Sequence, residues 1–479
     1  TMKKFFALLL SLAMVLALVA CGQKDPTPDT PDTPDDPQTK VEYKVAMITD
    51  YGDITDQSFN QTTYEACKAF AEDNSIEFSY FKPAGDNTAD RVAMIEKAVD
   101  EGFNVIVMPG YAFGGAIVEA APEFPDVKFI ALDVAAGDLL ETAVAKAGET
   151  YDYTPENWDL NKYVDMSNVY CAVYQEELCG YMAGYAAVKL GYKNLGFLGG
   201  MSVPAVVRYG YGFVQGVDAA AADLGLTDVK VNYIYGGQFF GDADITAVMD
   251  TWYQGGTEVV FACGGGIYTS AVDAAKKVGA KVIGVDVDQA GVIAKYAGVD
   301  GMTVTSAMKG LYPATYDTLT DVIVNGNWDK YVGKIATLGL VSGTDPEANY
   351  VQIPMGDGTQ WSDSFTQDDY KAMVKDMFDG KITVSNNTSS DVSAADFATV
   401  ITVDDQGSLR RRSRLRAHPR HGPHRHRRHD GAHRRRLRHL LHHRQELHRG
   451  PRSAPHPRWR RSRHCARRYV RRPRQHHLR

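Results

Sequence analysis

Histidine is absent from the first 406 residues of this 479-residue chain, and all 14 lie beyond them. Without it the body has no Ser-His-Asp or Cys-His pair and no His-ligated metal. Carboxylate pairs remain capable of acid–base work. Arginine is nearly as scarce, with 2 in the same stretch. No G-x-x-x-x-G-K-[ST] occurs, which leaves out the P-loop phosphate cradle. GYGFVQG (210–216) misses the G-x-G-x-x-G spacing and does not directly follow a strand pattern. DYGDITD (50–56) lacks the D-x-D-x-D-G order and later Glu of a calcium loop.

The charge is divided at Gln406. Residues 1–406 hold 24 Lys and 2 Arg against 57 Asp and Glu, a net of −31. Residues 407–479 hold 26 Arg, no Lys and 2 acids, a net of +24. The tail, RRRSRLRAHPRHGPHRHRRHDG and onward, has no apolar periodicity and cannot build a core. A basic nucleic-acid arm or a His-rich metal tract has this composition. So does a GC-rich gene read out of frame, which explains why Lys vanishes where Arg, His and Pro surge. We read the tail as disordered or frame-shifted and assign it no function, so no nucleic-acid partner is expected.

What is present begins with Lys3-Lys4 and the apolar run FFALLLSLAMVLALVA, ending at Cys21. A basic start, a short apolar stretch and small residues before a break describe an export signal over residues 1–20. The run has 16 residues, short of the ~20 that cross a bilayer. LVAC (18–21) resembles a bacterial lipobox, in which the Cys is lipidated after cleavage. Residues 21–40, rich in Pro, Asp and Thr, then read as a solvated tether. Cys465 falls in the tail. Cys67, Cys171, Cys179 and Cys263 each lie in an apolar segment and read as small buried hydrophobes. A Cys171–Cys179 disulfide is permitted in an exported protein, but spacing alone does not require it.

From residue 41 onward short apolar runs alternate with helical patterns. Strands are expected at 44–48, 78–83, 105–109, 128–133, 169–174, 194–200, 229–235, 258–263 and 281–286. This order predicts an α/β fold with parallel sheets and right-handed crossovers. GFNVIVMPGYAFGGAIVEAAPEFPDVKFIALD (102–133) is echoed by GTEVVFACGGGIYTSAVDAAKKVGAKVIGVD (256–286), in 32 and 31 residues. Both run strand, glycine turn, alanine-rich helix, strand, Asp, which points to two similar lobes. We expect a first lobe from 41–165 and 301–325, and a second from 166–300 and 326–406. MTVTSAMKG should then return to the first lobe, and GKIATL and YVQIPM to the second.

Ligands of open α/β sheets bind at the carboxyl ends of strands. Asp50, Asp133 and Asp286 each close an apolar strand, and the turns PGYAFGG and CGGGIYTS lie at strand ends with helix N-termini beside them. Ser58 and Gln61 fit a capping box, placing Phe59 in the first turn of a helix at the cleft rim. The plainer readings are that Asp after a strand forms a cap or turn, and that Phe59 is a staple or core residue.

Together, ITDYGDITDQSFNQ (48–61), GGMSVPAVVRYGYGF (199–213), GVDVDQ (284–289) and TSAMKG (305–310) resemble the basic-membrane-protein family. These are ABC-transporter solute-binding lipoproteins of the purine-nucleoside type, and the resemblance spans residues 41–406. It implies the type I periplasmic-binding-protein fold, two Rossmann-like lobes joined by a three-strand hinge. It implies no cofactor and no catalysis. Its partners would be an ABC permease and ATPase, with the membrane reached through the lipid anchor at Cys21. A purine would stack between two phenylalanines, Phe59 and the Phe of F-x-D, which is Phe240 rather than Phe239. Asn60 joins the ligand set from the first motif. Acids holding base and ribose would be Asp50, Asp133 and the GVDVDQ pair, Asp286 before Asp288. The ribose-contacting lysine maps to Lys309. Flat heteroaromatic rings seek π-faces, and N–H and hydroxyl groups seek carboxylates. An acid-rich cleft disfavours phosphates, so a nucleoside is expected over a nucleotide. A sugar or other small polar solute is the alternative ligand, and a surface adhesin or antigen the alternative role.

Overall fold

The computed structural model describes residues 42–409. The export signal, Cys21, the tether up to residue 41, and residues 410–479 lie outside the described residues. Thirteen strands are ordered along the described chain: β1 Lys44–Ile48, β2 Glu77–Phe81, β3 Val105–Pro109, β4 Lys128–Leu132, β5 Val169–Tyr174, β6 Asn194–Gly199, β7 Lys230–Tyr235, β8 Val259–Cys263, β9 Lys281–Asp286, β10 Thr303–Lys309, β11 Ile335–Leu338, β12 Val351–Gln352 and β13 Thr402–Ser408. They form two sheets, ordered β11-β5-β4-β3-β1-β2 and β12-β10-β9-β8-β6-β7-β13. Every pairing is parallel except β10 with β12. The central strands VIVMP and VVFAC are buried along their whole length, as strands covered by helices on both faces must be. The nine strands expected up to residue 286 are all present.

Sheet membership corrects the expected lobe boundaries at three strands. β5 pairs with β4 and stays in the first sheet. β10 pairs with β9 in the second sheet. β11 pairs with β5 in the first sheet, while β12 falls in the second as expected. Each strand carries the same apolar signal in either sheet, so membership is decided by pairing partners distant in sequence. The chain thus passes between sheets after β5, after β10 and after β11.

The first passage is the helix Glu176–Lys189, which packs against the helix Pro204–Asp223 behind the second sheet. The two meet backbone to backbone. A Cβ on Gly180 would sit 2.3 Å from the Tyr209 carbonyl oxygen, and one on Gly184 2.3 Å from that of Phe213. On the other side, a Cβ on Gly212 would sit 2.1 Å from the Glu177 oxygen, and one on Gly216 2.1 Å from that of Tyr181. Glycines four apart on both helices form one reciprocal seam, since i and i+4 share a face. GYGFVQG is therefore a helix-packing motif. All four described cysteines, Cys67, Cys171, Cys179 and Cys263, are buried free thiols, so Cys171 and Cys179 are not joined.

Candidate functional site

Segments after β1, β3 and β4 of the first sheet face segments after β6, β7, β8, β9 and β10 of the second across a cavity of about 430 Å³. The loop after β1 is held by its own acids. Asp50 Oδ1 accepts from the backbone N–H of Tyr51 (2.6 Å) and Gly52 (2.7 Å), and from Asn60 Nδ2 (3.3 Å). Its Oδ2 has no hydrogen-bond partner among the described residues. Asp56 caps the helix Phe59–Asn74, accepting from the N–H groups of Ser58 (2.9 Å), Asn60 (2.9 Å) and Gln61 (3.1 Å). This corrects the expected capping box. The Ser58 side chain makes no cap bond but donates across the cleft to Asp286 Oδ2 at 2.6 Å.

Asp133 and Asp286 share an unusual backbone. Both adopt the left-handed region, at φ 59° and 65°, where a non-glycine residue is uncommon and Asp is better tolerated than most. Their surroundings differ. Asp286 Oδ1 accepts from the Tyr209 hydroxyl at 3.2 Å, so both its oxygens are occupied. Asp133 Oδ2 accepts from Lys309 Nζ at 2.5 Å, while its Oδ1 is buried without a partner.

Lys309, at the end of β10, carries a buried positive charge between the lobes. Its ammonium lies 2.5 Å from Asp133, 3.4 Å from Glu176 and 3.7 Å from Asp286. Burial alone would lower its pKa, but the three carboxylates outweigh burial and raise it, so it stays charged. Burial pushes Asp133 up to about 6, assisted by Glu176 and Asp286 and opposed by Lys309. Burial likewise raises Asp50 and Asp56, against the hydrogen bonds they accept. The ammonium also sits over the rings of Phe59 (4.8 Å), Tyr174 (5.3 Å) and Tyr209 (5.6 Å), at cation–π distance.

Phe59 is half-buried on one wall. Phe239 and Phe240 both line the cavity, but Phe239 is wedged against Gly200 and Gly264, whereas Phe240 is 52% exposed. Of the expected set, the structure brings Asp50, Phe59, Asn60, Asp133, Phe240, Asp286 and Lys309 to one cavity. Asp288 does not line it. Its Oδ1 accepts from the Ala290 N–H at 3.0 Å, forming the turn into the helix Ala290–Ala297. Among the described residues, no group of three or more His, Cys, Asp or Glu is placed to hold a metal ion. No described helix is long and apolar enough to cross a membrane.

The sequence profile of the Bmp family, described as ABC transporter substrate-binding protein PnrA-like, matches residues 43–345. The chain belongs to this family. Among this Bmp-family chain's relatives is the ABC transporter nucleoside-binding protein BmpA of Lactococcus lactis subsp. cremoris, 25% identical over 78% of this chain and 96% of the relative. The CD4+ T-cell-stimulating antigen of Listeria monocytogenes is 28% identical over 66% of this chain and 84% of its own. An ABC transporter solute-binding protein from Aeropyrum pernix K1 superposes with a TM-score of 0.51 at 20% identity, over 72% of this chain and 88% of its own, and shares the type I periplasmic-binding fold. The function common to the Bmp family is substrate binding for an ABC transporter.

Sequence reasoning missed Ser58, Asp56, Tyr209 and Glu176. The first two lie within the motif that supplied Phe59, where an acid three residues before a helix start is itself a cap signal. Tyr209 sits among the glycines of YGYGF, whose spacing drew attention to phosphate instead. Glu176 has a faint signal, an acid pair opening the otherwise apolar helix EELCGYMAGYAA.

Proposed function

We propose that the chain is the extracytoplasmic receptor of an ABC importer, tethered to the membrane through a lipid on Cys21, and that its cavity takes a purine nucleoside. The observation that carries the ligand class is the composition of one wall-to-wall cavity. Phe59 and Phe240, two of the six aromatic side chains that line it, stand with five carboxylates, Asp50, Asp53, Asp56, Asp133 and Asp286. The two lining cations, Lys82 and Lys309, are both engaged, Lys82 with Asp53 at 2.9 Å. A flat base suits the rings. Hydroxyl and N–H donors suit Asp50 Oδ2 and Asp133 Oδ1. A phosphate meets net negative charge. The cavity volume falls in the usual range for small-molecule sites of roughly 300–1,000 Å³. The nucleoside-binding relative supports the same class.

The test is a thermal-shift and calorimetric panel on residues 41–409, with inosine, guanosine, adenosine, cytidine, AMP, ribose and galactose. A ligand at 100 times its Kd stabilises by ~2.7 kcal/mol, several degrees in Tm. Purine nucleosides should raise Tm, AMP should not, and Phe59→Ala should abolish the response. A response to ribose or galactose alone overturns the nucleoside assignment and keeps the sugar reading.

A further inference from the structure

Glu176 is fully buried and lies behind the cavity wall rather than on it. It opens the helix Glu176–Lys189. Its two oxygens hold two cations, Oε1 at 3.4 Å from Lys309 Nζ and Oε2 at 2.7 Å from Arg208 Nε. Arg208 belongs to the helix Pro204–Asp223, which the glycine seam locks against that of Glu176. The chain's body has only two arginines, and this one is spent on a buried carboxylate that touches no cavity space. Such an arrangement is costly unless fully paired, and here it ends on the one ammonium that faces Asp133 and Asp286.

We propose that Glu176 is a positioning residue, which draws the Lys309 ammonium back from the cavity so that the acids keep acceptor capacity for ligand hydroxyls. A lysine ammonium has three N–H groups. One goes to Asp133 and one to Glu176. Without Glu176 the ammonium swings toward Asp286, now at 3.7 Å, and bridges both acids. The unpartnered Asp133 Oδ1 is then drawn into that bridge, and a vicinal diol loses its acceptor. This assignment rests on the nucleoside reading for its ligand, though not for its geometry.

Two measurements test it on the same protein. The first compares inosine with 2′-deoxyinosine by calorimetry in wild type, Glu176→Gln and Glu176→Asp. Glu176→Asp keeps the counter-charge of Arg208, so folding is spared while the reach to Lys309 shortens. Both variants should weaken inosine about tenfold, the scale of one charged hydrogen bond, and 2′-deoxyinosine far less, collapsing the ratio between them. Equal loss for both ligands means that Glu176 only supports the fold, and overturns the proposal. The second is the ammonium signal of Lys309 in ¹⁵N-lysine-labelled protein without ligand. It should be protected from exchange in wild type and shift or broaden in both variants. An unchanged signal overturns the proposal whatever binds. If no nucleoside binds wild type, the ligand reading falls and the ammonium signal alone decides the role of Glu176.

Discussion

The segments 102–133 and 256–286 repeat one another in backbone and diverge in chemistry. Each runs from a buried strand through a glycine at positive φ, Gly110 at 128° and Gly264 at 156°, to an Asp in the left-handed region. At Gly110 a Cβ would sit 3.1 Å from the Asp50 side chain, so the turn needs glycine for closeness as well as conformation. The two end acids then part company. Asp286 is satisfied on both oxygens by Ser58 and Tyr209. Asp133 spends one oxygen on Lys309 and keeps one unpaired. The comparison teaches that strand-end geometry places a carboxylate at the cleft, while residues far away in sequence decide whether it is structural or available.

Lys309→Met breaks the comparison most severely, because it removes the cation shared by both acids. Asp133 loses its ion-pair partner and Asp286 its nearby cation, while Glu176 keeps Arg208, and a loss of about 3–5 kcal/mol is expected in denaturant unfolding. A change under 1 kcal/mol would mean that the acids are protonated or hydrated in the folded protein. Alanine and asparagine at each of the two acids come next. Asparagine tolerates left-handed backbone, whereas other residues lose roughly 1–2 kcal/mol there. Asp133→Ala and Asp286→Ala should therefore each be less stable than the matching Asn variant by about that amount. Equal stability of the pair at either site would show that its backbone relaxes. Ser58→Ala separates the two acids, since it strips a hydrogen bond from Asp286 alone. A loss of about 1–2 kcal/mol is expected, with the ammonium signal of Lys309 little changed.

The finest contrast is a slope against pH. Asp133 rises from its ordinary 3.8 to about 6 on folding, chiefly through burial. Between those values the folded acid holds its proton and the unfolded one has released it, so stability falls as pH climbs from about 4 to about 6. Asp138 and Glu177, each raised to about 7 by burial, extend the fall to higher pH. Asp133→Asn should flatten the lower part of the curve only. A parallel shift of the whole curve would assign the titration to another group.

Strand positions were legible because each is a short apolar run closed by a turn residue, and the acids at their ends followed from the same pattern. Sheet membership of β5, β10 and β11 was not: β5 and β10 are buried almost throughout and β11 is a short half-buried edge strand, and neither pattern says which sheet it joins. The cross-cleft bond from Ser58 was hidden by a local alternative, since Ser before a helix ordinarily caps it. Phe59 and Lys309 were reached through motifs rather than periodicity. Glu176 stayed unread because an acid in a first helical turn is an ordinary complement to the helix dipole, and its two cations lie 32 and 133 residues away.

The glycine seam has a mechanical meaning. Glu176 stands two residues past the end of a strand of the first sheet, yet its helix is locked to the second lobe with no room for a methyl group between them. If the lobes hinge apart as two-lobed binding proteins do, Glu176, Arg208, Lys309 and Asp286 travel as one rigid block, and Asp133 and Ser58 are left behind with the first lobe. Opening would then unplug one carboxylate and one hydroxyl from a preassembled socket, so each capture cycle would break and remake the Asp133–Lys309 ion pair and the Ser58–Asp286 hydrogen bond rather than rebuild the site.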